Sequence, residues 1–166
     1  RSLIVENAHH IISSEPLQKG GKTDDFFFLE SDGDAAQKLV CDLVTTRLPR
    51  SYGFDPVRDI QVLCPTKLGP TGTQALNVEL QNLLNPEQKG KPQLQSASRV
   101  FRVGDKVMQV RNNYEIVWNR IGGEQGVGAY NGDIGIVESI NMRDRSMVVR
   151  MDDRRLVYPA ENLNEL

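Results

Sequence analysis

The sequence predicts a two-part chain: part of a parallel α/β domain in the first half, then a small β-barrel. Three observations carry this. Over residues 1–85 the apolar pattern runs helix, strand, helix, strand, helix, an order that points to a parallel sheet with helices on its faces. Residues 87–98 are polar, rich in Gln, Lys and Ser, and read as a linker. Beyond residue 98 the pattern changes from a helical to an alternating period. Several short strands then fall within roughly 60 residues, with almost no helix signal, as in a closed or nearly closed barrel.

The totals set outer limits. A chain of 166 residues fits one ordinary domain, or one and a fraction. Hydrophobic content of 39% and charged content of 25% are those of a soluble globular protein. No apolar run reaches membrane-spanning length and no signal peptide is visible, so a cytoplasmic protein with no membrane partner is expected. The chain starts at Arg1 instead of methionine, and its first half offers too few strands for a stable sheet, so a segment of a longer protein is expected. Cys41 and Cys64 sit in apolar patterns and read as buried free thiols. The formal net charge of -2 gives no bulk attraction to nucleic acid. The charge is uneven, however. Acid gathers at Asp24, Asp25, Glu30, Asp32 and Asp34, and basic residues gather from Arg99 onward. That gradient is either a local phosphate footprint or an ordinary solvated face.

Taken in order, Ser2–Ser13 reads as a helix with Ile4, Ala8, Ile11 and Ile12 on one stripe. His9 and His10 are adjacent, without metal-ligand spacing, and suit a helix surface. Gly20-Gly21-Lys22-Thr23 looks like the end of a phosphate-binding P-loop. Its first glycine is replaced by Pro16 and no helix follows, so a plain loop is expected. Phe26–Glu30 reads as a strand, Asp34 as an N-cap, and Ala35–Leu48 as a helix ended by Pro49.

The stretch Asp59–Leu84 organises this half. Ile60–Leu63 is a short uncharged run, as for a strand buried on both faces. The loop Thr66–Gly72 follows, and Thr73 can cap a helix carrying Leu76, Leu80, Leu83 and Leu84, which Asn85-Pro86 ends. The loop after a strand's carboxyl end is where α/β sheets bind ligands. Free N–H groups at the helix start would suit phosphate. A plain strand–helix connection is the other reading.

In the second half Lys106–Arg111, Ile134–Ile140, Ser146–Met151 and Arg155–Tyr158 read as strands. Turn signals lie at Gly104-Asp105, Asn131-Gly132-Asp133 and Arg143-Asp144-Arg145, and Asn131-Gly132-Asp133 is expected to close a hairpin. Tyr114–Gly128, with Gly122, Gly123, Gly126 and Gly128, is expected to be a mobile loop. Its aromatic residues Tyr114 and Trp118, with Tyr130 just beyond, lie among Arg111, Asn112, Asn113 and Arg120. Aromatic and basic groups together can stack bases and hold a backbone, or the aromatics can pack a small core.

The runs LCPTKLGPTGTQALN, FRVGDKVMQVRNNY and YNGDIGIVESI, with the opening RSLIVENAHHI, resemble the RecD-like superfamily-one DNA helicases, which include the exodeoxyribonuclease V alpha chain. The resemblance covers nearly the whole chain. It implies that residues 1–98 are part of a RecA-like motor domain plus linker. Residues 99–160 would then be an inserted SH3-like β-barrel, and residues 161–166 a return toward the motor domain. It implies a parent that uses ATP and Mg²⁺ to move along single-stranded DNA in recombination and repair. The missing N-terminal motor domain would be a partner, as would other subunits if the parent works in a helicase–nuclease complex. The chain shows no Walker A loop, so catalytic, cofactor-binding and metal residues are expected to be absent from it, and it is expected to be inactive by itself. The resemblance implies that Thr66, Lys67, Gly69, Gly72 and Thr73 touch the DNA backbone through charge, hydroxyl donors and close backbone approach. Arg111, Asn113, Tyr114 and Trp118 are the barrel's candidates.

Two readings of other classes stand beside this one. An SH3-like barrel could be an adaptor for a protein partner, since fold does not decide function. Salt dependence separates the two, because DNA binding weakens steeply with salt. A metabolic α/β enzyme finds no nucleophile with a partnered base, no metal cluster and no G-x-G-x-x-G.

Overall fold

The computed structural model describes residues 2–21, 23–97 and 99–166. Helices occupy the first half where the apolar spacing places them, but not with the faces it implies. α1 (Leu3–Ile12) is capped by Ser2, whose Oγ accepts from the Val5 N–H at 3.4 Å. Asp25 accepts from the Leu3 and Ile4 N–H groups at 2.8 and 3.3 Å, setting an anion at the positive end of the helix. The apolar stripe of α1 turns out to face solvent: Ile11 and Ile12 are 65% and 82% exposed. The buried residue is Asn7, which exchanges two hydrogen bonds with the backbone of Gln18.

α2 (Gly33–Asp42) starts one residue ahead of Asp34, after an Asp32 N-cap with no side-chain hydrogen bond. It runs through a π-helical stretch, Leu43–Arg47, into α3 (Leu48–Tyr52). Pro49 therefore does not end the helix. A proline ring clashes with the carbonyl four residues back in a regular α-helix. Here the Leu48 N–H reaches five residues back to Leu43 O, and the wider turn accommodates the ring. Gly53, at φ 72°, ends α3 with its N–H on Pro49 O. α4 (Thr73–Leu84) follows the loop as expected, with Gly72 instead of Thr73 at the N-cap.

The expected parallel α/β layer is not there. Neither Phe26–Glu30 nor Ile60–Leu63 forms a strand, and every ladder among the described residues is antiparallel. Leu63, expected inside a sheet, is 87% exposed. The RecA-like assignment of the fold is thus corrected: helices and irregular segments precede an SH3-like β fold. An apolar run reports side-chain character. A strand also requires a neighbour for its N–H and C=O groups, and neither run has one here.

The second half is richer in strands than the alternation suggests. β1 (Gln93–Ser96) and β2 (Arg99–Arg102) form a two-stranded ribbon, so the end of the expected linker is a strand. A six-stranded sheet follows, made of β3 (Lys106–Met108), β4 (Asn113–Arg120), β5 (Gln125–Ala129), β6 (Ile134–Asn141), β7 (Ser146–Met151) and β8 (Arg154–Tyr158). Its order is β3-β6-β7-β8-β4-β5. The expected mobile loop Tyr114–Gly128 is the β4–β5 hairpin, with a register shift between Asn113 and Val117. Its glycines read as flexibility but serve geometry: Gly123 turns the chain at φ 87°, and Gly126 lies against the Trp118 ring where a Cβ would collide. Asn131-Gly132-Asp133 closes no hairpin, because it joins β5 to β6 and these strands are not neighbours. Gly132 does take the positive φ, 98°, that the turn signal implies.

The core forms where alternate residues of the strands meet, with Val149, Leu156 and Tyr158 at 0% exposure and Leu94, Phe101 and Leu163 sealing it. One polar chain crosses its edge. Tyr158 Oη donates to Gln109 Oε1 at 2.7 Å. Gln109 Nε2 donates to Arg111 O at 2.7 Å and to Glu165 Oε2 at 3.0 Å. Asn113 Nδ2 reaches both Glu165 oxygens, at 2.9 and 3.1 Å, and Asn162 Nδ2 adds a bond of 2.9 Å. Burial pushes the Tyr158 hydroxyl far above its ordinary pKa. Burial also works to raise the Glu165 carboxyl, but the bonds from Asn113, Asn162 and Gln109 outweigh it and hold Glu165 below its usual value.

Leu156→Ala is expected to lower stability by about 2–5 kcal/mol in urea unfolding, because the site is fully enclosed. The Glu165 carboxyl titrates lower in the folded than in the unfolded chain. Its stabilisation is therefore present above the usual 4.5 and fades as pH falls through the folded value. Glu165→Gln should lower the urea midpoint at pH 7, and the gap from the native chain should narrow in acid.

Candidate nucleic-acid interface

The loop Thr66–Gly72 is exposed along most of its length, and Lys67 stands in solvent. It is held by its own backbone. Gly72 N–H donates to Gly69 O at 3.0 Å, and Gly69 takes φ 87° to make that turn. A Cβ on Gly72 would lie 2.5 Å from Leu68 O, so close approach requires glycine there. Thr73 and Gln74 N–H groups donate to Thr66 O and Lys67 O, each at 3.2 Å, and Thr66 Oγ1 donates to Leu68 O at 3.0 Å. Two of the N–H groups expected to be free at this helix start, those of Thr73 and Gln74, are thus engaged by loop carbonyls. The loop offers the Lys67 charge and exposed surface, while Gly69, Gly72 and Thr73 shape it.

The barrel candidates separate into two kinds. Asn113 is internal: its Nδ2 is on Glu165, and its Oδ1 accepts from the Glu115 and Ile116 N–H groups at 2.9 and 3.2 Å. Trp118 is half-buried. The guanidinium groups of Arg120 and Arg154 lie 5.3 and 6.0 Å from its ring centroid, and Gly126 packs against it. Those arginines are themselves paired, Arg120 with Glu124 and Asp153 at 2.5 and 3.0 Å, and Arg154 with Asp133 at 3.3 Å. Arg111 and Tyr114 are exposed.

Beside Tyr114 stands Tyr130, which the sequence places among the aromatic residues without marking it as a contact. The two rings meet edge to face, 6.0 Å apart at 73°, and are 65% and 48% exposed. Asn112 ties them together. Its Nδ2 donates to Tyr114 Oη at 3.3 Å, and its Oδ1 accepts from the Asn131 N–H at 2.8 Å. The result is an exposed aromatic edge on a segment that the Gln109–Glu165 network holds in place, with exposed Arg111 three residues before Tyr114 in the chain. Aromatic rings at such an edge can stack bases while a guanidinium meets phosphate. The signal for Tyr130 was its position directly before Asn131-Gly132, a turn that brings it back against residues 112–114.

In the loop containing Gly20, Gly21 and Thr23, Lys22 lies outside the described residues. The Gly21 N–H donates to the loop's own Asp24 Oδ2 at 2.6 Å. A Cβ on Gly20 would collide with Phe26 O, and no helix begins until Gly33. No helix among the described residues is long and apolar enough to cross a membrane.

Comparison with known proteins agrees with the SH3-like sheet. Residues 76–151 match the ATP-dependent RecD-like DNA helicase SH3 domain, a stretch running from α4 to the end of β7. The chain is 31% identical over 134 residues to the ATP-dependent RecD2 DNA helicase of Deinococcus radiodurans. That alignment takes in 81% of this chain and 16% of the relative's length. Over residues 76–151 the chain is thus similar to the SH3 domain of RecD-like DNA helicases, and its similarity to one such helicase extends over most of the chain.

Proposed function

We propose that this chain is the part of an ATP-driven DNA helicase that holds single-stranded DNA while chemistry proceeds elsewhere in the parent protein. ATP and Mg²⁺ then belong to other parts of that parent, since the glycine loop at residue 20 is closed by its own carboxylate. The partners are single-stranded DNA, the remaining motor domain and, where the parent works inside a helicase–nuclease complex, its other subunits. The setting is the cytoplasm, and the work is recombination and repair. The exposed Ile11, Ile12 and Leu63 suit burial against such a protein partner.

The observation that carries the reading is the exposed Tyr114–Tyr130 edge, with exposed Arg111 three residues before Tyr114 in the chain. Lys67, on the glycine-shaped loop, is the second contact and acts on phosphate. Thr66, Gly69, Gly72 and Thr73 give that loop its form, Asn113 sets the start of β4, and Trp118 braces the hairpin. The relative named an ATP-dependent DNA helicase supports the same class of activity.

Fluorescence anisotropy with an oligo-dT strand at two salt concentrations tests this on the chain itself. Binding should weaken with salt. Lys67→Ala should reduce the slope of log affinity against log salt by about 0.7, the loss of one phosphate contact on a single strand. Tyr114→Ala should weaken binding by about 1–3 kcal/mol at both salts. In the parent protein, Lys67→Ala should lower DNA-stimulated ATP hydrolysis with folding intact. Affinity untouched by both substitutions would remove these residues from the interface. Salt-insensitive binding of a peptide in place of DNA would assign the sheet to an adaptor role.

A further inference from the structure

The turn between β2 and β3 grips both flanks of the loop Thr66–Gly72. Downstream lies the last turn of α4. Gln81 Nε2 donates to Asp105 Oδ2 at 2.5 Å and to Val100 O at 2.8 Å. Asn85 Nδ2 donates to Asp105 Oδ1 at 2.6 Å and to Val103 O at 3.1 Å. Arg102 answers from the other side, with Nη1 donating to Asn85 O at 3.1 Å and to Asn82 Oδ1 at 3.3 Å. The Arg102 N–H closes the turn on Asp105 Oδ2 at 2.7 Å. Upstream of the loop, Lys106 Nζ donates to Ile60 O at 3.0 Å, with Asp55 and Asp59 nearby as its counter-charges.

The chemistry of this grip differs from ordinary packing. Arg102 and Asp105 are each only 8% exposed, while Leu83 on α4 is 55% exposed. The joint is therefore made mainly by directed, charge-assisted hydrogen bonds, which hold one geometry where an apolar contact could slide. The clasp residues Gln81 and Asn85 lie about 12 and 18 Å from the start of α4 along the helix. Any rotation of the sheet about the turn is carried to the loop through that helix.

We infer that Arg102, Asp105 and Lys106 are positioning residues that join α4, the segment around Ile60 and the SH3-like sheet into one mechanical body, so that the sheet sets the orientation of the loop Thr66–Gly72 and moves with it. Calling that loop a DNA contact rests on the function proposed above; the coupling itself does not.

Hydrogen exchange on the whole chain tests the coupling, using variants that cut the clasp from each side. Asp105→Asn removes the carboxylate, and the double substitution Gln81→Ala with Asn85→Ala removes its side-chain donors, with their bonds to Val100 O and Val103 O, while leaving every residue of the six-stranded sheet in place. Both should speed amide exchange in the C-terminal half of α4 at least about tenfold, while β6, β7 and β8 keep their native protection. Lys106→Met should do the same for residues around Ile60. Unchanged exchange of α4 in both clasp variants would overturn the inference. So would a loss of protection throughout the sheet in Asp105→Asn with α4 unaffected in the helix-side variant, because Asp105 would then serve only the sheet's own fold. Adding oligo-dT to the native chain separates the two proposals. Absence of new protection at residues 66–74 would count against DNA contact there and would leave the coupling result standing.

Discussion

A carboxylate buried at a turn is the constraint on which the arrangement of this chain depends. Asp105 is removed from water and must find donors. Its own turn supplies one, the Arg102 N–H, and the other two come from the side chains of Gln81 on α4 and of Asn85, the residue that caps it, some 20 positions earlier in sequence. Because the carboxylate is satisfied only when α4 lies against the turn, the position of the helix follows from the fold of the sheet. The loop at the other end of α4 inherits that position.

A second polar network does the same work at the far end of the sheet. Glu165 gathers Asn113, Asn162 and Gln109, and the Val110 N–H adds a bond to Glu165 O at 2.7 Å. Arg99 binds Leu166 O in the same region. The segment that leaves the sheet is thus stitched to residues 109–113, directly before the exposed Tyr114. Between the two networks lies an apolar core with Val149, Leu156 and Tyr158 fully enclosed. Candidate contacts therefore stand on supports at both ends: the loop on the Asp105 clasp, and the aromatic edge on the Gln109–Glu165 chain. Polar networks of this kind specify one geometry because a half-satisfied member is costly.

The candidate site was partly legible in the sequence. Lys67, Gly69 and Gly72 are candidates because a loop before a helix can meet phosphate and because of the resemblance; the loop pattern by itself reads equally as a plain connection. Arg111 and Tyr114 could be picked out because aromatic and basic residues cluster there. Asn113 and Trp118 carried the same signal and serve inside the fold, one on Glu165 and the other against Gly126 and two arginines. Residue type and spacing do not report whether a side chain's polar groups or ring faces are already engaged. That depends on partners such as Glu165 and Arg154, which are tens of positions away.

By itself the sequence determined the local structure with regular periodicity: α1, α4 and strands β6, β7 and β8 lie where their apolar spacing places them. Runs such as VGDKVMQVRNNY, which no general folding requirement dictates, carry its resemblance to the RecD-like DNA helicases. Tertiary structure decided what depends on distant neighbours. Phe26–Glu30 and Ile60–Leu63 have the composition of strands and no strand beside them, whereas the glycine-rich run after Tyr114 becomes a hairpin because β8 pairs with β4. α1 buries Asn7 instead of its isoleucines because Gln18 offers that amide two backbone partners. In each case the side-chain pattern is local, but the hydrogen-bond partner that settles the outcome is supplied by chain folding back from elsewhere.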